Sequence, residues 1–539
     1  MSEVPAGRCG FTWDEDYSTP QSADHQNCCW REVVEGSDHC IWHADSDEVS
    51  KSPEALQQAC APPDIREQTS DVAELLDGAK LSGLQLGDAV TFGRVMLRDS
   101  NISETNLEEA DLTEANLRNA DVSDATLVGA DLTEATLWEA DLTNTNLRDT
   151  TLSNAILWSG ILTNTYFKNA DLSNAILSET DFTDAKLRGA NLRDTNVKDA
   201  TLINTELREV DLTNSVLSNA DLTNASLRHA NLTEANLWKS NLTEANLWDS
   251  NLTAATLVEA DLTDAELLRA NLTDANLSDS TLINANLRKT DLTDTNLSAA
   301  DLTNADLEHA VLVRANLFDA NLTNCRPHGA TFTDVQINDG TEFRAEEQRI
   351  SEANWWQTSP IFPPQRCGYD PAIIDTASEK ATNQLGKAAD TYQTFEKLAR
   401  ENARPSLQSE MFVLRQDMQR KRHWRNGEYL EWGFARLSRA VFKYGESLSR
   451  IVTCAVAIIA TYAVIYSQFD LIRDASNRFV ANPVDALYFS TLTFTTLGLG
   501  DFQPEPTSQI ARLLVTSQAA LGAILIAVFV FVLGRRAAR

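Results

Sequence analysis

One spacing dominates the hydrophobic pattern of the chain: every fifth residue from Phe92 to Leu322 is Leu, Ile, Val or Phe, without exception. The residue two positions earlier is small, most often Ala, and the remaining positions are mainly polar. A helix repeats about every 3.6 residues and a strand every 2, so neither explains this spacing. The pattern predicts a chain that turns a corner every five residues. One large and one small side chain then point into a narrow tube at each face.

The same spacing begins earlier in another phase. Leu76, Leu81 and Leu86 are five residues apart, but Phe92 follows Leu86 only after six. We therefore expect a one-residue insertion at this point, in a bulge or a capping turn.

The repeating unit, as in ADLTEANLRN, resembles that of the pentapeptide-repeat family over residues 92–322. The resemblance implies a right-handed quadrilateral β-helix with four pentapeptides per coil. With about 4.8 Å between stacked strands, this rod would be roughly 55 Å long. Beyond Leu322 the pattern weakens through Phe332 and Ile337, which indicates a cap. We predict a β-helix domain over residues 71–343.

Residues 20 apart would stack on one face of a rod that has four pentapeptides per coil. Apolar side chains recur on one such face, at Trp138, Trp158, Trp238, Val258 and Phe318. Exposed aromatic residues can mark a partner site. Chance placement explains the same pattern, and both interpretations remain open.

Two stretches near the C-terminal end are apolar enough to cross a membrane. Residues 451–469 carry no charge, and residues 510–533 carry only Arg512. As helices, both would span the ~30 Å hydrocarbon core of a bilayer. Basic residues precede the first stretch and follow the second, so the positive-inside rule predicts that both termini are cytoplasmic.

The loop between these stretches holds a short helix and a glycine motif over residues 483–501. Asn482 and Pro483 are a typical helix start. The helix leads into Thr496-Leu497-Gly498-Leu499-Gly500-Asp501. This hexapeptide resembles the potassium-channel signature Thr-x-Gly-Tyr-Gly-Asp at every defined position except Leu499.

The resemblance implies a selectivity filter in which four copies of the loop surround K⁺ with backbone carbonyls. Gly498 and Gly500 would permit the required backbone geometry, and Thr496 would add a hydroxyl ligand. Leu499 keeps the carbonyl but lacks the usual Tyr ring, so selectivity for K⁺ over Na⁺ is left open. Gly522, midway along the second stretch, is a candidate gating hinge or a helix-packing glycine.

The chain between the repeats and the apolar stretches predicts a linker and a helical hairpin. Residues 344–375 are rich in Pro and Trp and indicate an irregular linker. Residues 376–426 show apolar residues at helical spacing, interrupted by Pro405. The hairpin is a spacer or a regulatory docking element, and the pore domain is expected at residues 430–539.

Cysteine and histidine cluster in residues 1–60. Cys40 and His43 have the spacing of one end of a zinc site, and Cys9 with Cys28 or Cys29 would complete a tetrahedral set. A domain this small has little core, so bound Zn²⁺ would supply folding energy. Structural zinc, free buried cysteines and redox sensing all remain open.

The formal net charge is −33, and its excess of acidic side chains lies within residues 1–399. Such a field repels nucleic acid, so we expect no nucleic-acid partner. It fits the solvated surface of a halophilic protein, or an acidic decoy for a DNA-binding protein. The first residues lack the features of a signal peptide, so the acidic rod is expected in the cytoplasm.

Together these patterns predict a multidomain, multi-pass protein of the cell membrane: a β-helix, a helical hairpin and an all-α pore domain with a re-entrant loop. The leading hypothesis is a homotetrameric cation channel with K⁺ as the permeant ion and an unidentified protein or ligand partner for the rod. The alternative is a membrane-tethered scaffold or DNA mimic that uses the pore domain as an anchor. An enzyme is not expected, since the sequence shows no nucleophile–base set and no phosphate-binding loop.

Overall fold

The computed structural model describes residues 34–35, 40–45, 51–52, 55–56, 76, 78–87, 92–343, 379–474, 476–480, 482–497 and 501–537. The chain divides into two compact units, Met1–Ala345 and Glu346–Arg539. The linker predicted at residues 344–375 lies outside the described residues, as does most of the predicted N-terminal domain.

The first unit contains the predicted quadrilateral β-helix. Parallel bridges join residues 20 apart, such as Asp131 with Thr151, so each coil contains four pentapeptides. Leu132 and Ala130 are fully buried, as are their counterparts along the tube. Most of the pairing consists of single bridges, but Val311–Val313 and Thr331–Thr333 form short strands that pair in parallel.

The corners of the tube are built by polar residues in the left-handed conformation. Asn144 has φ 59°, and its N–H donates to the carbonyl of Thr163 in the next coil at 3.0 Å. Asn and Asp tolerate this conformation better than other non-glycine residues. Next to a corner, the carboxylate of Asp131 accepts from the N–H and the hydroxyl of Thr133, at 2.9 and 2.6 Å. These local bonds favour a turn over any other backbone state.

The predicted one-residue insertion near the start of the repeats is confirmed. Lys80 pairs with Asn101, 21 positions further on, whereas Met96 pairs with Asn116, 20 positions further on. Gly87, close to the change of phase, has φ 45°. The single extra residue therefore lies between Gln85 and Met96, where it changes the phase without ending the stack of coils.

In the second unit, two connector helices form the predicted hairpin. The first spans Glu379–Glu401 and the second Pro405–Arg425, with the proline in its first turn, where no intrahelical N–H is needed. The two helices pack against each other, and Arg415 pairs with Glu396 across them at 3.0 Å.

A third helix, Tyr429–Phe442, was not predicted from the sequence. A short 3₁₀ turn, Lys443–Gly445, follows it. Leu430 and Phe434 lie on one face of this helix and are 76% and 73% exposed. We call Tyr429–Phe442 the amphipathic helix.

Asp417, buried on the second connector helix, joins that helix to the amphipathic helix. Its carboxylate oxygens accept hydrogen bonds from Nε of Arg439 at 2.6 and 2.8 Å, and from the hydroxyl of Tyr444 at 2.8 Å. Burial, followed by the charge of Asp417, raises the pKa of the Tyr444 hydroxyl above its ordinary value. The connector is therefore fixed to the segment that enters the first apolar helix.

Two helices among the described residues are long and apolar enough to span a membrane: the first apolar helix, Leu448–Gln468, and most of the second apolar helix, Gln509–Ala537. Between them lie strand Ile472–Asp474, the pore helix Pro483–Thr495 and strand Phe502–Pro504. The two strands pair antiparallel, and the pore helix packs against both apolar helices.

Candidate ion-conduction site

The pore helix begins and ends with well-defined caps. The side chain of Asn482 accepts from the N–H of Val484 at 3.0 Å, and Pro483 occupies the first turn, as predicted. At its other end Thr496 is left-handed, with φ 60° and ψ 20°. The N–H groups of Thr496 and Leu497 donate back to the carbonyls of Thr493 and Leu492, at 3.2 and 3.1 Å. The negative end of the helix dipole therefore lies at the start of the glycine motif.

The predicted filter residues follow directly from this cap. Thr496 and Leu497 are described, and Leu497 is exposed. Gly498, Leu499 and Gly500 lie outside the described residues, so their predicted role as carbonyl ligands stays a prediction. Asp501 is again described, and its carboxylate lies 3.5 Å from the hydroxyl of Tyr488 on the pore helix.

A two-stranded sheet holds the chain that leaves the motif. Arg473, on the strand after the first apolar helix, pairs with Glu505, which follows the strand after the motif. The guanidinium of Arg473 also lies 3.9 Å from the ring centre of Phe479. The hydroxyl of Thr507, together with Arg473, lowers the pKa of Glu505. The motif is thus anchored by a helix cap before it and by a sheet after it.

A buried polar network ties the pore helix to both apolar helices. Gln518 is fully buried in the second apolar helix, and its Nε2 donates to the carbonyl and the hydroxyl of Ser490, at 3.1 and 2.6 Å. Its Oε1 accepts from the hydroxyl of Tyr466 on the first apolar helix at 2.9 Å. The Ser490 hydroxyl in turn donates to the carbonyl of Ile459 at 2.7 Å. This network was not predicted from the sequence, although a glutamine within an apolar segment signals a polar partner.

Gly522 lies one helical turn beyond Gln518 and packs against the backbone of the pore helix. A Cβ atom added at Gly522 would overlap the carbonyl oxygen of Phe494. This close approach supports the helix-packing role of Gly522. Its role as a gating hinge stays a prediction.

The zinc prediction is only partly covered by the described residues. Cys40 and His43 are both buried, and Sγ of Cys40 lies 3.2 Å from Nδ1 of His43. Cys9, Cys28 and Cys29 lie outside the described residues. The described part of the chain contains no group of three metal-ligating side chains. The N–H of Lys80 donates to the carbonyl of Trp42 at 2.8 Å, so this segment contacts the first coil of the β-helix.

Aromatic side chains of the predicted apolar face do lie at the surface of the rod, and two of them stack on each other. Trp138 and Trp158 stack one coil apart with ring centres 4.6 Å apart, and Arg118 lies 4.2 Å above the Trp138 ring. Trp238 and Phe318 are exposed, at 39% and 38%. Trp138 and Trp158 are therefore partly covered by other residues of the rod. A role of this face in partner binding stays a prediction.

Comparisons with known families agree with this division of the chain. Residues 451–539 match a family model described as ion channel. Residues 155–237 match a pentapeptide repeat region. Further pentapeptide repeats match at residues 92–129, 125–157, 230–267, 270–308 and 310–339. The chain therefore carries a pentapeptide-repeat domain followed by a domain of the ion channel family.

Among solved structures, the chain is similar to pentapeptide-repeat proteins. HetL of the cyanobacterium Nostoc sp. strain PCC 7120, involved in heterocyst differentiation regulation, is 26% identical over 50% of this chain and 97% of its own, with a TM-score of 0.19. QnrB1, a plasmid-mediated fluoroquinolone resistance protein, is 19% identical over 36% of this chain and 90% of its own (TM-score 0.25). A protein of the Arabidopsis thaliana thylakoid lumen is 23% identical over 25% and 71% (TM-score 0.14). No curated protein matches the chain.

Proposed function

We propose that this protein is a homotetrameric cation channel of the cell membrane that conducts K⁺. One observation carries the proposal: a capped pore helix lies between two apolar helices and delivers its C-terminal end to the sequence from Thr496 to Asp501. A short helix that cannot cross a bilayer has no purpose in a simple hairpin anchor. Aimed at a carbonyl-rich loop, its dipole stabilises a cation.

The tetramer follows from the coordination that K⁺ requires. One chain supplies one pore helix and one glycine motif, whereas a dehydrated K⁺ is surrounded by rings of carbonyls from four loops. The exposed side chain of Leu497 and the exposed apolar residues of the second apolar helix would then face neighbouring copies or lipid.

The amphipathic helix supports a membrane location with both termini in the cytoplasm. Leu430, Phe434 and Leu437 form its exposed apolar stripe, and the helix ends just before the first apolar helix begins at Leu448. A helix whose exposed stripe is apolar suits the boundary between headgroups and hydrocarbon. Its two arginines, Arg436 and Arg439, precede the first apolar helix in the chain, as the positive-inside rule expects of a cytoplasmic segment.

The acidic β-helix would have a regulatory or scaffolding role. The connector helices follow it in the chain, and Asp417 fixes the second of them to Arg439 and Tyr444, just before the first apolar helix. A partner or ligand that shifts the connector would therefore pull on the chain entering the pore domain.

Ion flux in liposomes tests the channel. Purified protein should pass K⁺, and Gly498→Ala should abolish the flux, because a Cβ restricts the backbone conformations that aim successive carbonyls at one axis. Gly433→Ala is the matched control, since nothing lies within 4 Å of a Cβ at that helical position. The control should conduct like the parent protein.

A protein that passes no ions under any salt or ligand condition would favour the alternative. The acidic rod would then be the active part, as a membrane-tethered scaffold or a DNA mimic, with the pore domain as its anchor. The charge of −33 is the observation behind that alternative. Equal flux in the Gly498→Ala variant and the parent would also reject the proposed filter.

A further inference from the structure

Gln518 is a buried glutamine inside an apolar helix, and its amide loses hydration free energy that an apolar side chain would not lose. Burying an amide without partners is unfavourable by several kcal/mol, and a leucine could fill such a site without that penalty. Gln518 offsets the cost with directional bonds to Ser490 and Tyr466, on two different helices. Apolar contacts hold helices together but do not fix one rotation or one depth, whereas directional bonds do.

The contacts between the second apolar helix and the pore helix share one register. Gln518 meets Ser490, and one turn further along both helices Gly522 meets Phe494. The two helices therefore touch along a single line that leads toward Thr496. The polar pair fixes the pore helix near its middle, and the glycine allows its last turn to approach the second apolar helix closely.

A row of aromatic rings connects the first apolar helix, through the pore helix, to the strand that follows the glycine motif. The ring of Tyr466 lies 5.2 Å from that of Phe489, which lies 6.4 Å from the ring of Phe502. Phe502 directly follows Asp501 in the chain. A shift of Tyr466 or of the pore helix would therefore displace the residues that precede the glycine motif and those that follow it.

We propose that Gln518 is a positioning residue for the ion pathway: it sets the rotation and depth of the pore helix and thereby the position of Thr496 and Leu497, with which the glycine motif begins. This inference rests on the proposed channel function. Gln518 is fully buried, so it would affect selectivity without contacting the ion.

The test compares K⁺ and Na⁺ flux in liposomes for the full-length protein and its variants. Gln518→Leu should lower the K⁺-to-Na⁺ flux ratio about five- to thirtyfold, because buried groups of Ser490 and Tyr466 lose their partner. Tyr466→Phe removes one hydrogen bond with almost no loss of volume and should give a smaller fall in the same direction. If Gln518→Leu does not fold or assemble, Tyr466→Phe still tests the positioning role.

Gln518→Glu separates positioning from packing. Its protonated carboxyl can both donate to Ser490 and accept from Tyr466, whereas the ionised form can only accept. Burial favours the protonated form, so the flux ratio of this variant should stay near that of the parent and fall only at alkaline pH, whereas that of Gln518→Leu should be low at every pH. Thr516→Val is the matched control, since the Thr516 hydroxyl donates to the carbonyl of Arg512 in its own helix.

The outcomes distinguish this inference from the channel proposal. If the parent conducts selectively and neither Gln518→Leu nor Tyr466→Phe changes the ratio, the positioning role is wrong. If the parent conducts nothing, the channel proposal fails, and amide hydrogen exchange over residues 490–501 decides instead. Faster exchange there in Gln518→Leu than in Thr516→Val would support the positioning role, and equal exchange would overturn it.

Discussion

Inside the β-helix, threonine and serine replace alanine at many of the small buried positions. Thr145 is fully buried, and its hydroxyl donates to the carbonyl of Val122 at 2.8 Å. Thr150 uses the nearer carbonyl of Leu147 at 2.7 Å. A hydroxyl fits these positions because a backbone carbonyl lies within reach and accepts its hydrogen bond. The repeat therefore specifies the size of the side chain at this position more strictly than its polarity.

A second residue whose size is restricted is Gly522. Replacing it with alanine should destabilise the pore domain by about 1–3 kcal/mol, because the new Cβ would overlap the carbonyl oxygen of Phe494 and force the helices apart. Ion flux should fall in parallel, since Phe494 belongs to the last turn before the glycine motif. Thermal unfolding in detergent and liposome flux measure the two effects.

Gly534→Ala provides the control for this substitution. It lies in the same helix, and a Cβ there meets nothing within 4 Å. The control should match the parent in both measurements. A Gly522→Ala protein as stable as the control, but with altered opening, would instead favour the hinge role.

At the scale of elements, the β-helix was predictable because its signal repeats. Each inward position occurs dozens of times at one spacing, so single deviations such as Val95 do not hide the pattern. Even the insertion before Phe92 was visible as a change of phase. The pore helix was predictable for a different reason: its start depends on local capping by Asn482 and Pro483, which the sequence shows directly.

The amphipathic helix and the Gln518 network were missed because their signals are short or non-local. The apolar stripe of Tyr429–Phe442 covers under four turns and is interrupted by Gly433 and basic residues. Gln518 stood out only as one polar residue in an apolar segment. Its partners lie 28 and 52 positions away, so only the packing of three helices shows why it is there.

The joint between the connector and the amphipathic helix gives a prediction at this scale. Asp417→Asn should destabilise the second unit by about 2–4 kcal/mol, because it removes the charge of a buried carboxylate that accepts hydrogen bonds from Arg439 and Tyr444. The side chain of Asp417 is 4% exposed, so solvent cannot replace it. Circular dichroism at the helical band during thermal unfolding measures the loss, and channel opening should change if the joint transmits regulation.

Glu401→Gln is the matched control for the joint. Glu401 pairs with Lys397 on the first connector helix, and both side chains are largely exposed. Exposed pairs of this kind contribute little, so the control should stay within about 0.5 kcal/mol of the parent. Equal stability of Asp417→Asn and Glu401→Gln would show that the joint is not a fixed connection.

At the scale of the whole molecule, the corner residues of successive coils are arranged so that several carboxylates face an amide rather than another carboxylate. The net negative charge of the chain nevertheless remains large. Along the corners of the rod, an Asn amide often donates to an Asp carboxylate one coil away, which avoids like charges directly above each other. Such pairs are Asn119 with Asp99, Asn144 with Asp124, Asn169 with Asp149, Asn204 with Asp184, and Asn284 with Asp264. Even so, the chain has 78 acidic against 45 basic side chains.

The unfolding temperature of the β-helix should therefore rise with salt. At about 0.01 M KCl the Debye length is ~30 Å, and charges on neighbouring coils repel one another almost unscreened, whereas at about 1 M it is ~3 Å. Exposed ion pairs between coils, such as Arg94 with Glu114, weaken over the same range. They contribute little individually, so the relief of net repulsion outweighs their loss. Circular dichroism at the β-sheet band, followed through thermal unfolding over this salt range, measures the effect.

A variant with less charge separates screening from general salt effects on apolar burial. Replacing Glu104, Glu109 and Glu134, three left-handed corner residues, by Gln should raise the unfolding temperature at low salt and flatten its dependence on KCl. Salting-out of apolar surface would stabilise parent and variant alike and leave the two slopes equal. Parallel slopes, or a parent that loses stability as salt rises, would mean that the acidic surface does not strain the fold. The charge would then have to be explained by what it binds or repels.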